Sequence, residues 1–462
     1  MLHTRTIVLA AGLACLVASA ARADVKLADL FRDGMVLQQG MKAPVWGTAD
    51  DGEKIKIEFA GQSVETVAKD GKFRADLAAL KPGGPWPMTV TGKNTIKFAK
   101  VYVGEVWVCS GQSNMVMNTG GCLGGMEEMK LTIDDLRMII EPHKQPADKP
   151  WQPAGGWETH RFSGVGYWFG KAIHDELRVP VGLICCAVGA TGAESWTPPD
   201  AMEKLGYKIS DKSRAASLYV NMIKPLEPFA IRGVIWYQGE SNAGGGAEKY
   251  DKLFAGLITG WRADWGQGDF PFLFVQLPRI DKPAAVPSVL PKDGWALVRE
   301  AQTRTLALPN TGMAVYFERT DGDLHPKDKK PAGERLALIA RKTVYGQKLE
   351  DCGPVFKQAR RAGDKLVLSF DHAEGLRVAA AASQPEGSAP AAGPAIADLA
   401  VTDASGKILI TPPAKSDGQT VVIDLAGVAG ATDVYYCWNR YPQGNLANSA
   451  GLPAWPFHAT LK

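Results

Sequence analysis

The feature that most constrains the fold is an alternation. Between Val101 and about Gly346, short apolar runs alternate with stretches of helical period. The runs are Val106–Val108, Gly182–Ala187, Gly233–Tyr237, Phe272–Gln276 and Met313–Phe317. They are almost uniformly apolar, as strands covered on both faces are. The stretches between them, Gly166–Leu177, Ala247–Trp261, Val298–Leu306 and Pro331–Tyr345, place apolar residues at helical spacing. The pattern predicts an α/β domain with a central parallel sheet and helices on both faces. In such sheets the ligand site lies beyond the carboxyl ends of the strands.

The flanks read differently. From Asp24 to Lys100 the chain shows short strands, with alternation in K-I-K-I-E-F at Lys54–Phe59 and turn dipeptides at Asp51-Gly52 and Asp70-Gly71. After Gly346 the strands Lys365–Phe370, Lys407–Ile410 and Thr420–Leu425 are expected, with a long Ala-, Pro- and Gly-rich loop from Ala379 to Ala395. The expected organisation is a leader at 1–23, an N-terminal β module at 24–100, a catalytic domain at 101–346 and a C-terminal β module at 347–462. A chain of 462 residues has room for these units.

The leader reads as a secretory signal peptide: Arg5, the apolar run Ile7–Ala18, then Ala21-Arg22-Ala23 at the cleavage positions. Cys15 falls inside the removed segment. No later apolar run is long enough to cross a bilayer. The chain is expected to be exported, periplasmic or secreted. Removal of Arg5 and Arg22 leaves it nearly neutral, which offers no field for nucleic acid or an anionic membrane. A neutral substrate is expected instead, and the sequence sets no oligomeric state. Six cysteines remain after export. Of the possible pairings Cys352 with Cys437 is favoured, because both lie in the C-terminal part, whereas Cys109 is expected as a buried thiol. No cysteine or histidine spacing matches a zinc site, and H-E-x-x-H is absent from the sequence.

Four of the predicted strands end in small or polar residues. Val106–Met115 reads V-W-V-C-S-G-Q-S-N-M and puts Ser113 at a turn after the first strand. Gly189-Ala190-Thr191-Gly192 follows the second, and Gln238-Gly239-Glu240-Ser241-Asn242 the third. Thr320 to Pro326, T-D-G-D-L-H-P, follows the last. A parallel sheet brings all four to one edge, where a nucleophile, a base and anion-stabilising groups can share one volume. A serine needs a base. His174 lies in a helix beside Asp175 and suits a solvated or capping role. His143 and His160 lie in Pro- or Gly-rich connections, and His372 and His458 in the C-terminal module. His325 alone follows a predicted strand of the sheet, so it is the candidate base. Gly244-Gly245-Gly246 lacks the Lys and Ser/Thr of a phosphate loop and reads as a loop rim.

These motifs carry a resemblance. G-Q-S-N-M at Gly111–Met115, W-Y-Q-G-E-S-N at Trp236–Asn242 and D-L-H-P at Asp323–Pro326 resemble the sialate O-acetylesterase family of SGNH hydrolases. The likeness continues through Val181–Ile184 and Glu194–Thr197 to G-L-P-A-W-P-F at Gly451–Phe457. It implies a three-layer α/β/α SGNH-hydrolase domain with a central parallel sheet, flanked by N- and C-terminal β-sandwich-like modules. It also implies removal of O-acetyl groups from carbohydrates through an acetyl-enzyme, with no metal or organic cofactor. Carried over by motif, Ser113 is the nucleophile and His325 the base. The Ser113 and Gly189 amides and the Gln238 side chain form the oxyanion hole, with Asn242 as the alternative to Gln238. Asp323 is the acid that orients His325 and Asp321 the reserve, while a backbone carbonyl could do the same work without an acid. Glu240 braces its loop.

Two positions depart from the family pattern. Ala190 stands where a second glycine is usual. Gly322 stands where many SGNH enzymes place the acid, three residues before the histidine. Trp196 is a candidate sugar-facing wall or a core residue. Acetylated hemicellulose (xylan, xyloglucan) or oligosaccharide is the favoured substrate. O-acetyl sialic acid would need a cation such as Arg299 or Arg319 for its carboxylate. An α/β-hydrolase is disfavoured because Met115 breaks G-x-S-x-G. A non-catalytic carbohydrate-binding protein is disfavoured by the intact set of reactive residue types.

Overall fold

The computed structural model describes residues 24–140, 150–208, 214–283, 289–379, 396–411 and 415–461, with 415–417 described as backbone only. The signal segment 1–23, His143 and the expected loop beyond Ala379 lie outside the described residues. Among the described residues no helix is long and apolar enough to cross a membrane.

The predicted alternation builds the predicted layers. The central sheet runs in the order Gln152–Gly155, Thr132–Ile140, Val181–Ala187, Thr95–Gly111, Gly233–Tyr237, Phe272–Val275, Thr311–Ala314. All neighbours are parallel except the edge pair Gln152–Gly155 with Thr132–Ile140. Side chains of each central strand divide alternately between two cores, as a period of two requires. Val106, Val108, Trp236 and Phe272 pack into one, with Phe254 and Trp261 of the helix Tyr250–Trp265. Trp107, Cys109, Ile235 and Leu273 pack into the other, with Phe169 of Gly164–Leu177 and Leu336 of Lys330–Thr343. The sheet is therefore the middle of three layers.

The first central strand is longer than its apolar run predicts. It extends from Thr95 to Gly111. Its first part, T-I-K-F-A-K, alternates and pairs antiparallel with Gly83–Thr91. From Val101 onward every residue is buried. The change of composition near residue 100 marks a change of surroundings within one strand, from a half-exposed hairpin to the centre of a covered sheet. The last central strand is shorter than predicted: it stops at Ala314, and Phe317–Arg319 forms a 3-10 turn.

At the C-terminal end, two four-stranded antiparallel sheets contribute to one core. Phe356 and Phe370 of one sheet pack on Phe457 of the other. This is a sandwich arrangement. No disulfide joins Cys352 to Cys437, contrary to the favoured pairing. Cys437 packs against Tyr436 and Gly444, and Cys352 beside Asp351 and Glu350, so each sulfur faces its own neighbours. Burial raises both thiols above their usual pKa, Cys352 to about 12. Cys109 is a buried thiol, as expected.

Arg299 sews this sandwich to the central domain. It is fully buried on the helix Gly294–Thr305 and donates to the carbonyls of Leu277, Pro278 and Asn439 at 2.7–2.8 Å. Burial pushes its pKa down to about 10. Arg299→Lys keeps the charge but replaces a planar fork by a point donor, which leaves buried carbonyls unmatched. Urea unfolding should show a loss of about 2–4 kcal/mol. A variant as stable as the parent would remove this contact from the account.

Candidate active site

Strand register builds the site. Ala187 and Tyr237 both pair with Gly111, so three adjacent strands end at one level. Gly111 makes that possible: its φ is +136°, and a Cβ there would lie 2.2 Å from the Tyr237 carbonyl oxygen. The next residues of each strand, Gln112-Ser113, Val188-Gly189 and Gln238-Gly239, are thereby set side by side. Ser113 opens a single helical turn, Ser113–Val116. Gly189 faces it, with the position of a Cβ on Gly189 only 3.6 Å from the Ser113 Cβ. The backbone N–H groups of Ser113 and Gly189 have no acceptor among the described residues. Ala190, in the usual glycine position, takes φ +57°, the left-handed conformation that glycine adopts without cost.

His325 starts further away, beyond the strand Thr311–Ala314 at the sheet edge. The loop after it returns across the strand ends and places His325 Nε2 2.8 Å from Ser113 Oγ. The pair foreseen from sequence is thus formed. The acids are placed differently. Asp323 accepts from the backbone N–H of His325 at 2.8 Å, and Asp321 from the backbone N–H of Asp323 at 3.1 Å. Neither carboxylate bonds the ring, and His325 Nδ1 has no partner among the described residues. Gly322 has no room for the acid that related enzymes carry there: a Cβ would meet the Asp281 carbonyl at 2.2 Å and the Tyr441 ring at 2.6 Å, at φ +87°.

Gln238 and Asn242, after the third strand, form a buried brace. Gln238 Nε2 donates to the Thr191 carbonyl at 3.1 Å and to Asn242 Oδ1 at 2.8 Å, and its Oε1 accepts from Tyr250. Asn242 Oδ1 also accepts from the Ala193 N–H, while its Nδ2 donates to Glu194. Both amides therefore clamp the Gly189–Gly192 loop in place. Either could meet an oxyanion only by exchanging one of these bonds. Trp196 is fully buried, with Nε1 bonded to Thr191 Oγ1 and its ring packed on Trp236. It is a core residue and not a sugar-facing wall, because its indole is spent on the same clamp. His174 bonds Asp135, and His160 belongs to the helix Gly156–Arg161.

A buried polar hub escaped the sequence reading. Asn114, next to Ser113, donates Nδ2 to Glu240 and, at 2.9 Å, to the carbonyl of Leu324. Its Oδ1 accepts from Lys329 Nζ. Asn114 and Lys329 are fully buried and Glu240 nearly so. One amide thus ties the residue beside the nucleophile to the residue before His325. Burial lowers the Lys329 pKa to about 8 and raises that of Glu240. Glu240 was foreseen as a brace. Lys329 sits in the run K-D-K-K, where nothing distinguishes a buried lysine from a solvated one.

Comparison with known proteins bears on the family. The family described as carbohydrate esterase, sialic acid-specific acetylesterase, matches residues 103–330. Human sialate O-acetylesterase is 29% identical over 76% of this chain and 77% of its own. The mouse enzyme of the same name is 26% identical over 94% of each chain. A crystal structure of a carbohydrate acetylesterase from Xanthomonas citri covers 94% of this chain and 99% of its own at 34% identity, with a TM-score of 0.83. Fold and sequence agree: the chain belongs to the sialate O-acetylesterase family of carbohydrate esterases and is a carboxylic ester hydrolase.

Proposed function

We propose that the protein is an exported serine esterase that deacetylates neutral carbohydrate through a Ser113–His325 dyad. The observation that carries the reading is the 2.8 Å approach of His325 Nε2 to Ser113 Oγ at the strand ends. His325 takes the Ser113 proton as Oγ attacks the acetyl carbonyl, a contribution on the order of 10²–10⁴-fold. The oxyanion meets the unpaired Ser113 and Gly189 amides, each worth roughly 3–4 kcal/mol in comparable sites. Gln238 holds the Gly189 loop and serves as a third donor only if it releases a partner. The sugar oxygen leaves with the proton from His325. Water, deprotonated by the same ring, then attacks the acetyl-enzyme and releases acetate. Asp323 holds His325 through its backbone, and Asn114, Glu240 and Lys329 hold the loop that carries it.

Neutral substrate is supported by the arginines. Arg299 spends its donors on main-chain carbonyls, and Arg319 pairs with Asp328 at 3.2 Å. Neither is left for a sialate carboxylate. Export rests on the leader at 1–23.

Acetate release should be fastest on acetylated xylan, xyloglucan or glucomannan. Faster release from O-acetyl sialic acid would overturn the neutral-substrate reading, and glycan binding without turnover would favour the non-catalytic one. Ser113→Ala should abolish release while thermal stability stays within about 1 kcal/mol of the parent, since one half-exposed hydroxyl bond is lost. Asp323→Asn can still accept from the His325 N–H, so its activity should exceed that of Asp323→Ala by at least about tenfold. Equal, severe losses of about 10⁴-fold would instead assign the carboxylate to the ring.

The buried cation has a pH signature. Lys329 titrates near 8 in the fold against 10.5 unfolded, so between these values the unfolded chain binds more protons. Its burial penalty is complete below pH 8 and fades as pH rises. Relative to Lys329→Met, the parent should gain on the order of 2–3 kcal/mol of stability from pH 8 to 10.5. Parallel stability curves would show that Lys329 binds its proton equally in both states and is not shifted by burial.

A further inference from the structure

Large apolar side chains are exposed at nine of the described positions, and six of these lie along a strip of backbone-linked segments: Val116, Leu123, Met126, Leu131, Trp157 and Leu324. The strip starts at the reactive pair. Val116 ends the turn that Ser113 opens, and Leu324 immediately precedes His325. Leu123 is tied to the base loop by its N–H, which donates to the Lys327 carbonyl at 2.9 Å. The far end is tied in by the Gly156 N–H on the Met129 carbonyl at 3.0 Å. Exposed apolar side chains gathered on linked segments in this way point to a binding surface.

Trp157 is the flat element of the strip. It is 65% exposed, although indoles are normally covered. Its ring stacks on His160, one helical turn later, with centroids 4.5 Å apart and planes at 11°. His160 in turn lies against Gly120, where a Cβ would come within 2.0 Å of the imidazole. One indole face is therefore packed and the other open, so the ring is held before any ligand arrives. The charges bordering this end are compensated within the surface: Lys130 with Glu127 at 2.6 Å and Arg161 with Glu158 at 3.8 Å. A platform of this kind suits the apolar face of an uncharged ring.

We propose that Trp157 is a sugar-stacking platform, at which a pyranose unit of an acetylated polysaccharide rests while another unit of the same chain presents its acetyl group to Ser113. The proposal rests on the carbohydrate deacetylation argued above and adds that the substrate is a polymer or long oligomer. The strip is tied to the loop that carries His325 by the Leu123–Lys327 bond and begins beside Ser113 and His325 in sequence, and this favours the substrate chain over a protein partner as its occupant.

The test compares Trp157→Ala and Trp157→Phe with the parent on acetylated glucomannan or xylan, on an acetylated monosaccharide and on p-nitrophenyl acetate. The ratio of kcat/KM for polymer to that for p-nitrophenyl acetate should fall about tenfold in Trp157→Ala, through KM, and recover partly in Trp157→Phe. An unchanged ratio in a parent that is active on the polymer overturns the platform alone. A parent that hydrolyses only p-nitrophenyl acetate overturns the carbohydrate reading itself. Sedimentation velocity covers the remaining occupant: a dimer that Trp157→Ala converts to monomer assigns the strip to self-association and overturns the proposal.

Discussion

The common level at which three parallel strands end is the constraint on which the site depends. Thr95–Gly111 lies between Val181–Ala187 and Gly233–Tyr237, and both neighbours stop opposite Gly111. A shift of one residue in either register would reverse the faces that its side chains present to the two cores. Hydrophobic burial on both sides of the sheet therefore holds the register, and the register holds Ser113 against Gly189. The precision of the reactive geometry comes from the core beneath it and does not depend on the loops alone.

Reaching the base takes further work, because its strand is at the edge of the sheet and the return path is long. Three sets of contacts shape that path. Asn114 draws the Leu324 carbonyl toward the nucleophile. Asp323 and Asp321 turn the backbone just before His325. The third set comes from the C-terminal module: Tyr441 lies over Arg279, and both press on the segment at Gly322, where the Asp281 N–H donates to the Gly322 carbonyl. The C-terminal sandwich is thus part of the scaffold of the loop that carries His325, and Arg299 is one of the residues that keep it docked, with Arg440 another. A buried hub with a lysine and a glutamate bridged by one amide is costly to assemble. Its location, between Ser113 and the loop that carries His325, is consistent with fixing one loop conformation rather than with adding stability.

Strand and helix positions in the central domain were largely legible, because burial on both faces of a sheet leaves uniform apolar runs and helices leave a periodic one. Ser113 and His325 were legible for a related reason: each follows such a run directly or by a short polar segment. The exceptions have specific causes. Trp196 sits in a polar neighbourhood of the sequence, Glu194-Ser195-Trp196-Thr197, yet its indole closes a clamp in the core. The pairing of Cys352 with Cys437 rests on both lying in the C-terminal part, which says nothing about which way each sulfur points. Asp323 has the right spacing to its histidine for either ring or backbone, and the turn geometry selects the backbone.

The sequence by itself determined the layered architecture, the flanking β modules and the choice of Ser113 and His325 as the candidate pair, since these follow from periodicity, composition and residue chemistry that act locally. Only the tertiary structure decided what each remaining polar group bonds to. Asn114, Glu240 and Lys329 come from three distant segments, and their burial together is visible in none of those segments alone. Hydrogen-bond partnership depends on direction over a few ångströms, and direction is set by packing across the whole domain.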